Sequence, residues 1–98
     1  MPLTSKQRAH LRKLAHPLRP IAHVGKDGAT DASAAALREA FRTRELVKVR
    51  VLEAAPDIPR ATAEALAAAI DGAVVVATAG RTAVLYRPDP DDPQIRLP

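Results

Sequence analysis

Cysteine is absent from the 98 residues. That excludes a disulfide scaffold, a thiolate zinc site and a cysteine nucleophile. Long apolar runs are absent as well, and nothing approaches the ~20 residues that a membrane span needs. The opening stretch, MPLTSKQRAH, lacks the apolar region of a secretory signal, so a cytoplasmic location is the expectation. Aromatic rings are scarce, with Phe41 and Tyr86 alone. A base-stacking sheet needs two or three exposed rings, and this chain cannot supply them.

Signatures of catalysis are missing too. Ser5 and Ser33 are the only serines, and neither sits in GxSxG. There is no GxxxxGK[ST] loop and no GxGxxG. His10, His16 and His23 have no metal-ligand spacing. The one cluster of carboxylates, Asp89, Asp91 and Asp92, lies in a proline-rich end. No catalytic residue, metal, cofactor or small-molecule substrate is therefore expected.

What is present fits one small domain. Hydrophobic residues make up 47% of the chain, but 21 of them are alanine. The remaining apolar side chains suffice for a modest core and not for a deep pocket. Charge is unevenly placed within a net +4. Residues 1–52 carry 11 basic and 4 acidic groups, and residues 53–98 carry 4 and 7. A basic half on a small domain suits a polyanionic partner, although a solvated charged face has the same composition.

Thr4-Ser5-Lys6-Gln7 has the form of a capping box, and Leu11, Leu14 and Ala15 follow at helical spacing up to Pro17. Lys6, Arg8, Arg12 and Lys13 give that helix a basic face. Ile21 to Val24 reads as a short strand ending in Gly25-Lys26-Asp27-Gly28. A helix capped by Thr30 or Asp31 should run to about Arg44. Leu46 to Leu52 alternates valines with Lys48 and Arg50, a strand with one apolar and one cationic face. Asp57 can cap a third helix, with Pro59 in its first turn and Gly72 at its C-terminal cap. Ala73 to Ala79 and Ala83 to Arg87 form a hairpin about Gly80-Arg81. The order α-β-α-β-α-β-β predicts an α+β two-layer fold, a mixed four-stranded sheet with helices mainly on one face. Residues 1–87 form the domain, and residues 88–98, rich in Pro and Asp, are expected to be an irregular or frayed tail.

The loop Gly25-Lys26-Asp27-Gly28 is the most informative local feature. A GxxG turn between strand and helix lets a backbone approach closely, places a helix N-terminus beside it and adds the charge of Lys26. KH domains clamp a single-stranded backbone in this way, and an ordinary βα turn can look the same. Asp27 sets a negative charge where phosphates would come.

Together these segments resemble a known family. Leu11-Arg12-Lys13-Leu14-Ala15-His16-Pro17-Leu18-Arg19-Pro20 followed by the GxxG loop resembles the CRM domain (chloroplast RNA splicing and ribosome maturation) in its single-domain bacterial YhbY form. So do Glu45-Leu46-Val47-Lys48-Val49 and Gly80-Arg81-Thr82-Ala83-Val84-Leu85-Tyr86-Arg87-Pro88. The resemblance implies a fold like the C-terminal domain of bacterial translation initiation factor 3. Its strand order is 1-2-4-3, with two helices on one face and an additional N-terminal helix. It implies RNA binding without catalysis, to ribosomal RNA in precursors of the large subunit. Gly25, Lys26, Asp27 and Gly28 match the family's GxxG loop, and Lys48 matches the lysine of its ELVKV-like strand. Arg81 stands where many members have lysine, and Arg44 precedes Glu45 where relatives often have histidine.

The expected RNA surface is thus the loop Gly25, Lys26, Asp27 and Gly28, extended by Arg12, Lys13, Arg19, Lys48, Arg50 and Arg81. Gly28→Val should weaken binding with the fold intact. The protein is expected to be a monomer. The alternative is an adaptor that binds a ribosomal protein or assembly factor, its basic surface being incidental.

Overall fold

The first helix starts where the sequence puts its cap. In the computed structural model, which describes residues 2–98, the Thr4 hydroxyl accepts the Gln7 N–H at 3.1 Å and the Gln7 side chain accepts the Thr4 N–H at 3.0 Å. Two unpaired N–H groups are satisfied reciprocally, and α1 runs Ser5–Ala15. Strand β1 is Pro20–Val24 and α2 is Asp31–Ala40, capped by Thr30 through the Ser33 N–H at 3.1 Å. Strand β2 is Leu46–Val51, α3 is Pro59–Ala68, β3 is Val74–Ala79 and β4 is Thr82–Tyr86.

Two helix boundaries differ from the sequence expectation. Helix α2 stops at Ala40 rather than near Arg44. Phe41 is buried, and the Arg42 and Thr43 N–H groups bond three residues back, to Glu39 and Ala40. That tighter last turn redirects the chain into β2. Helix α3 is not capped by Asp57. Its N-cap is Ile58, with extended backbone (φ −65°, ψ 156°) and no side-chain cap. Pro59 sets this start: it forces the preceding residue to be extended, and its missing N–H needs no acceptor at the first helical position. At the other end Ala69 is the C-cap, and Gly72 (φ 81°) serves the turn into β3 instead.

The strands form one sheet in the order β1-β2-β4-β3. Strands β1 and β2 are parallel, and β4 is antiparallel to both its neighbours. This is the mixed four-stranded α+β sheet expected. Period-two alternation along the strands gives each face its own apolar set. Val24, Val47, Val49, Ala83 and Leu85 face α2 and α3, packing on Leu37, Phe41, Leu66 and Ile70. Leu46, Val76, Val84 and Tyr86 face the other way, onto Leu3, Leu11 and Ala15. Helix α1 therefore adds a partial third layer behind the sheet, on the face opposite the other two helices.

The segment 88–98 has no regular structure, as expected, but it is not frayed. The Glu45 carboxylate accepts the backbone N–H of Asp89, of Gln94 at 2.8 Å and of Ile95 at 2.7 Å. Ile95 and Leu97 then pack on the α1-side cluster. Glu45 is buried, and three donors account for how a carboxylate is tolerated there. Among the described residues, no helix is long and apolar enough to cross a membrane.

Candidate nucleic-acid interface

Because β1 and β2 are parallel, their C-terminal ends lie side by side. Strand β4 is antiparallel to β2, with Thr82 opposite Arg50, so the β3–β4 hairpin turns at that same end. Three segments meet there: loop 25–28, loop 52–58 and the turn Gly80-Arg81.

The two glycines of the loop play different parts. Gly28 is buried with φ 69°, and its N–H donates to the Gly25 carbonyl at 2.9 Å. A Cβ on Gly28 would lie 3.1 Å from Pro56 Cγ. Its glycine is thus required by backbone conformation and by packing against loop 52–58. Gly25 has no positive φ, and a Cβ there would sit 3.9 Å from Leu52 Cδ1, an ordinary contact. The expectation that Gly28→Val leaves the fold intact does not survive this geometry. Lys26 and Asp27 are exposed at the tip, and neither side chain has a hydrogen-bond partner among the described residues. Asp27 does not cap α2, since Thr30 does.

The candidate cations divide by what they already hold. Arg81 donates through Nε to the Val51 carbonyl at 2.7 Å and through Nη2 to the Leu52 carbonyl at 2.9 Å. It pins the start of loop 52–58, the surface on which Gly28 rests. Lys48 Nζ donates to the His16 carbonyl at 3.0 Å. That ties the C-terminal end of α1 to the sheet, with a cation where the helix dipole favours one. Two of the three ammonium donors of Lys48 remain free. Arg50 is exposed on the same face, two residues on, with no partner among the described residues.

Arg12 and Lys13 are exposed in the last turn of α1. Arg12, His16 and Lys48 line an open groove of about 370 Å³ floored by Ala77, Thr82 and Val84. Lys13 lies outside that lining. Arg19 is apart from the rest, in a shallow cleft with Arg44 and Leu46 where β1 and β2 begin. At about 3.3 Å per residue, β1 carries it some 20 Å from the glycine loop. The structure thus brings together Gly25, Lys26, Asp27, Gly28, Arg50 and Arg81, with Lys48 and Arg12 behind them, and leaves Arg19 outside.

Sequence reasoning also missed roles. Arg8, read as part of the basic face of α1, points at the sheet and donates to the Val75 and Val76 carbonyls at 2.9 and 2.8 Å. These carbonyls flank a register shift in β3, where the regular ladder leaves acceptors unpaired. His23 is exposed beside Arg50 in the β1–β2 register. The register itself was the signal that could have found it. The clear pKa shifts lie elsewhere. Burial, and secondarily the charge of Glu45, raises the Tyr86 phenol. The Asp91 and Asp92 N–H groups lower the Asp89 carboxyl.

Comparison with known proteins bears on this arrangement. A family model, the CRS1 / YhbY (CRM) domain, matches residues 3–87. The chain is 42% identical over 96 residues to "Probable RNA-binding protein YqeI" of Bacillus subtilis (strain 168), covering 98% of this chain and 99% of that one. It is 34% identical over 96 residues to a Haemophilus influenzae protein named "RNA-binding protein", covering 98% of this chain and 95% of that one. The solution structure of a hypothetical protein from Staphylococcus aureus superposes with a TM-score of 0.82 at 35% identity, covering 99% of this chain and 100% of the other.

Proposed function

The chain belongs to the CRS1/YhbY (CRM) domain family, and on that premise we propose that it is a non-catalytic RNA-binding protein. It acts in ribosome assembly, as a cytoplasmic monomer, on ribosomal RNA in precursors of the large subunit. The ribosomal assignment follows the family resemblance, and the names of two relatives support RNA as the ligand.

One observation carries the placement of the site. Lys26 has no partner among the described residues, yet its loop is braced from behind by Gly28 on Pro56 and by Arg81 on Leu52. A fixed backbone with an unpartnered cation at its tip suits a phosphate chain: ordering is already done, and the charge displaces counterions. With few exposed rings, recognition depends on backbone, shape and charge. It should be strongly salt-dependent and weakly sequence-specific.

Sedimentation of a native lysate at low and high salt tests the assignment. Co-migration with large-subunit precursors, lost as salt rises, is expected. A position at the top of the gradient at every salt would withdraw the ribosomal role, and an association that survives nuclease would favour a protein-binding adaptor. Lys26→Ala should weaken binding to all RNAs alike and reduce the salt slope by about one unit. An unchanged slope would remove Lys26 from the site.

A further inference from the structure

One register row of the sheet lies bare behind the glycine loop. His23 pairs with Arg50, Arg50 with Thr82, and Thr82 with Ala79. Register partners share a face, and Val24, the next residue after His23, is buried among α2 and α3. The row therefore stands on the opposite face, the one α1 covers elsewhere. His23, Arg50 and Ala79 are exposed and Thr82 is half-buried. At one edge the row meets the glycine loop, since His23 lies two residues before Gly25. Towards the other, Thr82 follows the turn Gly80-Arg81. Just inward lies the groove under Arg12 and Lys48, whose lining includes no carboxylate.

We infer that this row and the adjoining groove take a short single-stranded segment of RNA leaving loop 25–28, and that Thr82 recognises its ribose. The inference rests on the RNA-binding reading above and adds a direction and a sugar preference to it. Arg50 and Arg12 supply partnerless cations for phosphates on either side of a floor of small side chains. The row crosses three inter-strand gaps, about 14 Å, the length of about four stacked nucleotides at ~3.4 Å each. His23 in the row and His16 in the groove are exposed rings on which a base can stack. The Thr82 hydroxyl has no partner among the described residues. It both donates and accepts, as the ribose 2′-hydroxyl does, and that hydroxyl separates RNA from DNA.

Anisotropy titrations with a labelled single-stranded RNA and the DNA of identical sequence test this, with thermal melts confirming that each variant is folded. Arg50→Ala should weaken both ligands about five- to tenfold and lower the salt slope by about one. Thr82→Val keeps a β-branched side chain of the same shape. It should weaken RNA about fivefold, the scale of one hydrogen bond, and leave DNA unchanged. If both variants bind as the parent does while Lys26→Ala binds more weakly, the row is not part of the path and the loop reading stands. If Thr82→Val weakens RNA and DNA equally, the ribose assignment is overturned. A parent protein that binds neither ligand would remove the RNA-binding reading itself.

Discussion

At the end of the sheet where β2 begins, several charged side chains are bonded to the protein's own backbone, although Arg19 and Arg44 there have no partner among the described residues. Glu45 holds three N–H groups of the C-terminal segment, Arg87 donates to the Asp71 carbonyl at 2.7 Å, and Arg38 donates to the Ala69 carbonyl at 2.8 Å. At the end where β2 finishes, Lys26, Arg50 and His23 have no partner among the described residues, whereas Arg81 is engaged. The same residue types thus serve opposite purposes about 20 Å apart, the length of a six-residue strand. A satisfied charge contributes to stability. An unsatisfied one on a braced loop is available to a ligand. Substitution of the engaged charges should therefore change the melting temperature and leave RNA affinity alone, with the reverse for the unpartnered charges on the ligand end.

The largest expected effect is at Glu45. Glu45→Ala leaves three N–H groups without their acceptor and releases Ile95 and Leu97 from the α1-side cluster. Hydrogen bonds to a charged group contribute about 1.5–3 kcal/mol each and do not add fully, so a loss of about 3–5 kcal/mol is expected in denaturant unfolding. RNA affinity of the folded fraction should be unchanged. A variant as stable as the parent would show that the C-terminal segment is not anchored through this carboxylate.

The two loop glycines test the comparison within the ligand end. Gly28→Val places a β-branched residue at φ 69° with its Cβ 3.1 Å from Pro56. A cost of about 2–3 kcal/mol is expected from left-handed backbone plus the displaced proline. Gly25→Ala meets only Leu52 at 3.9 Å and should stay within about 0.5 kcal/mol of the parent. Equal destabilisation by the two would contradict the asymmetry read here. If Gly25→Ala retains stability and loses affinity, Gly25 is where the RNA backbone approaches.

Arg81 is the exception that sharpens the contrast, a structural cation at the ligand end. Arg81→Ala removes two hydrogen bonds to carbonyls and should cost about 1–2 kcal/mol. It should also weaken RNA binding by loosening loop 52–58 behind Gly28. Arg81→Lys keeps the charge but not the fork that reaches both Val51 and Leu52. If Arg81 acts through position, the lysine variant should bind more weakly than the parent. Full affinity in the lysine variant would instead make Arg81 a direct phosphate contact.

How much of this was legible in the sequence follows from the range of each interaction. The capping box at Thr4, the alternation of β2 and the turn at Gly80 are local, and they appear where the residues place them; of the two caps open for α2, Thr30 and Asp31, it is Thr30. The ends of α2 and α3 turned on proline geometry and on the burial of Phe41, which compete with side-chain capping. Lys26 was legible as a loop cation because nothing distant engages it. Lys48, Arg81 and Arg8 were read as free charge, yet each is held by a carbonyl more than twenty residues away. Glu45 was quoted only as part of a motif, since its partners lie more than forty residues on. Spacing carries no record of such pairings.

The smallest effect at neutral pH is expected at Tyr86, beside Glu45 at the anchored end. Burial, then the Glu45 charge, raises its phenol above the ordinary 10.0. The folded protein holds this proton more tightly than the unfolded chain does. Its contribution is therefore fully present below pH 10 and is lost as pH rises through the folded value. Tyr86 is the sole tyrosine, so phenolate absorbance reports it alone. The titration should have its midpoint above 10, and stability should fall with it. In Tyr86→Phe that alkaline loss should shrink, while stability at neutral pH changes by less than about 1 kcal/mol. A phenol titrating at its ordinary value in the folded protein would mean that this end of the sheet is open to water. The division between an anchored end and a ligand end would then rest on hydrogen bonds alone.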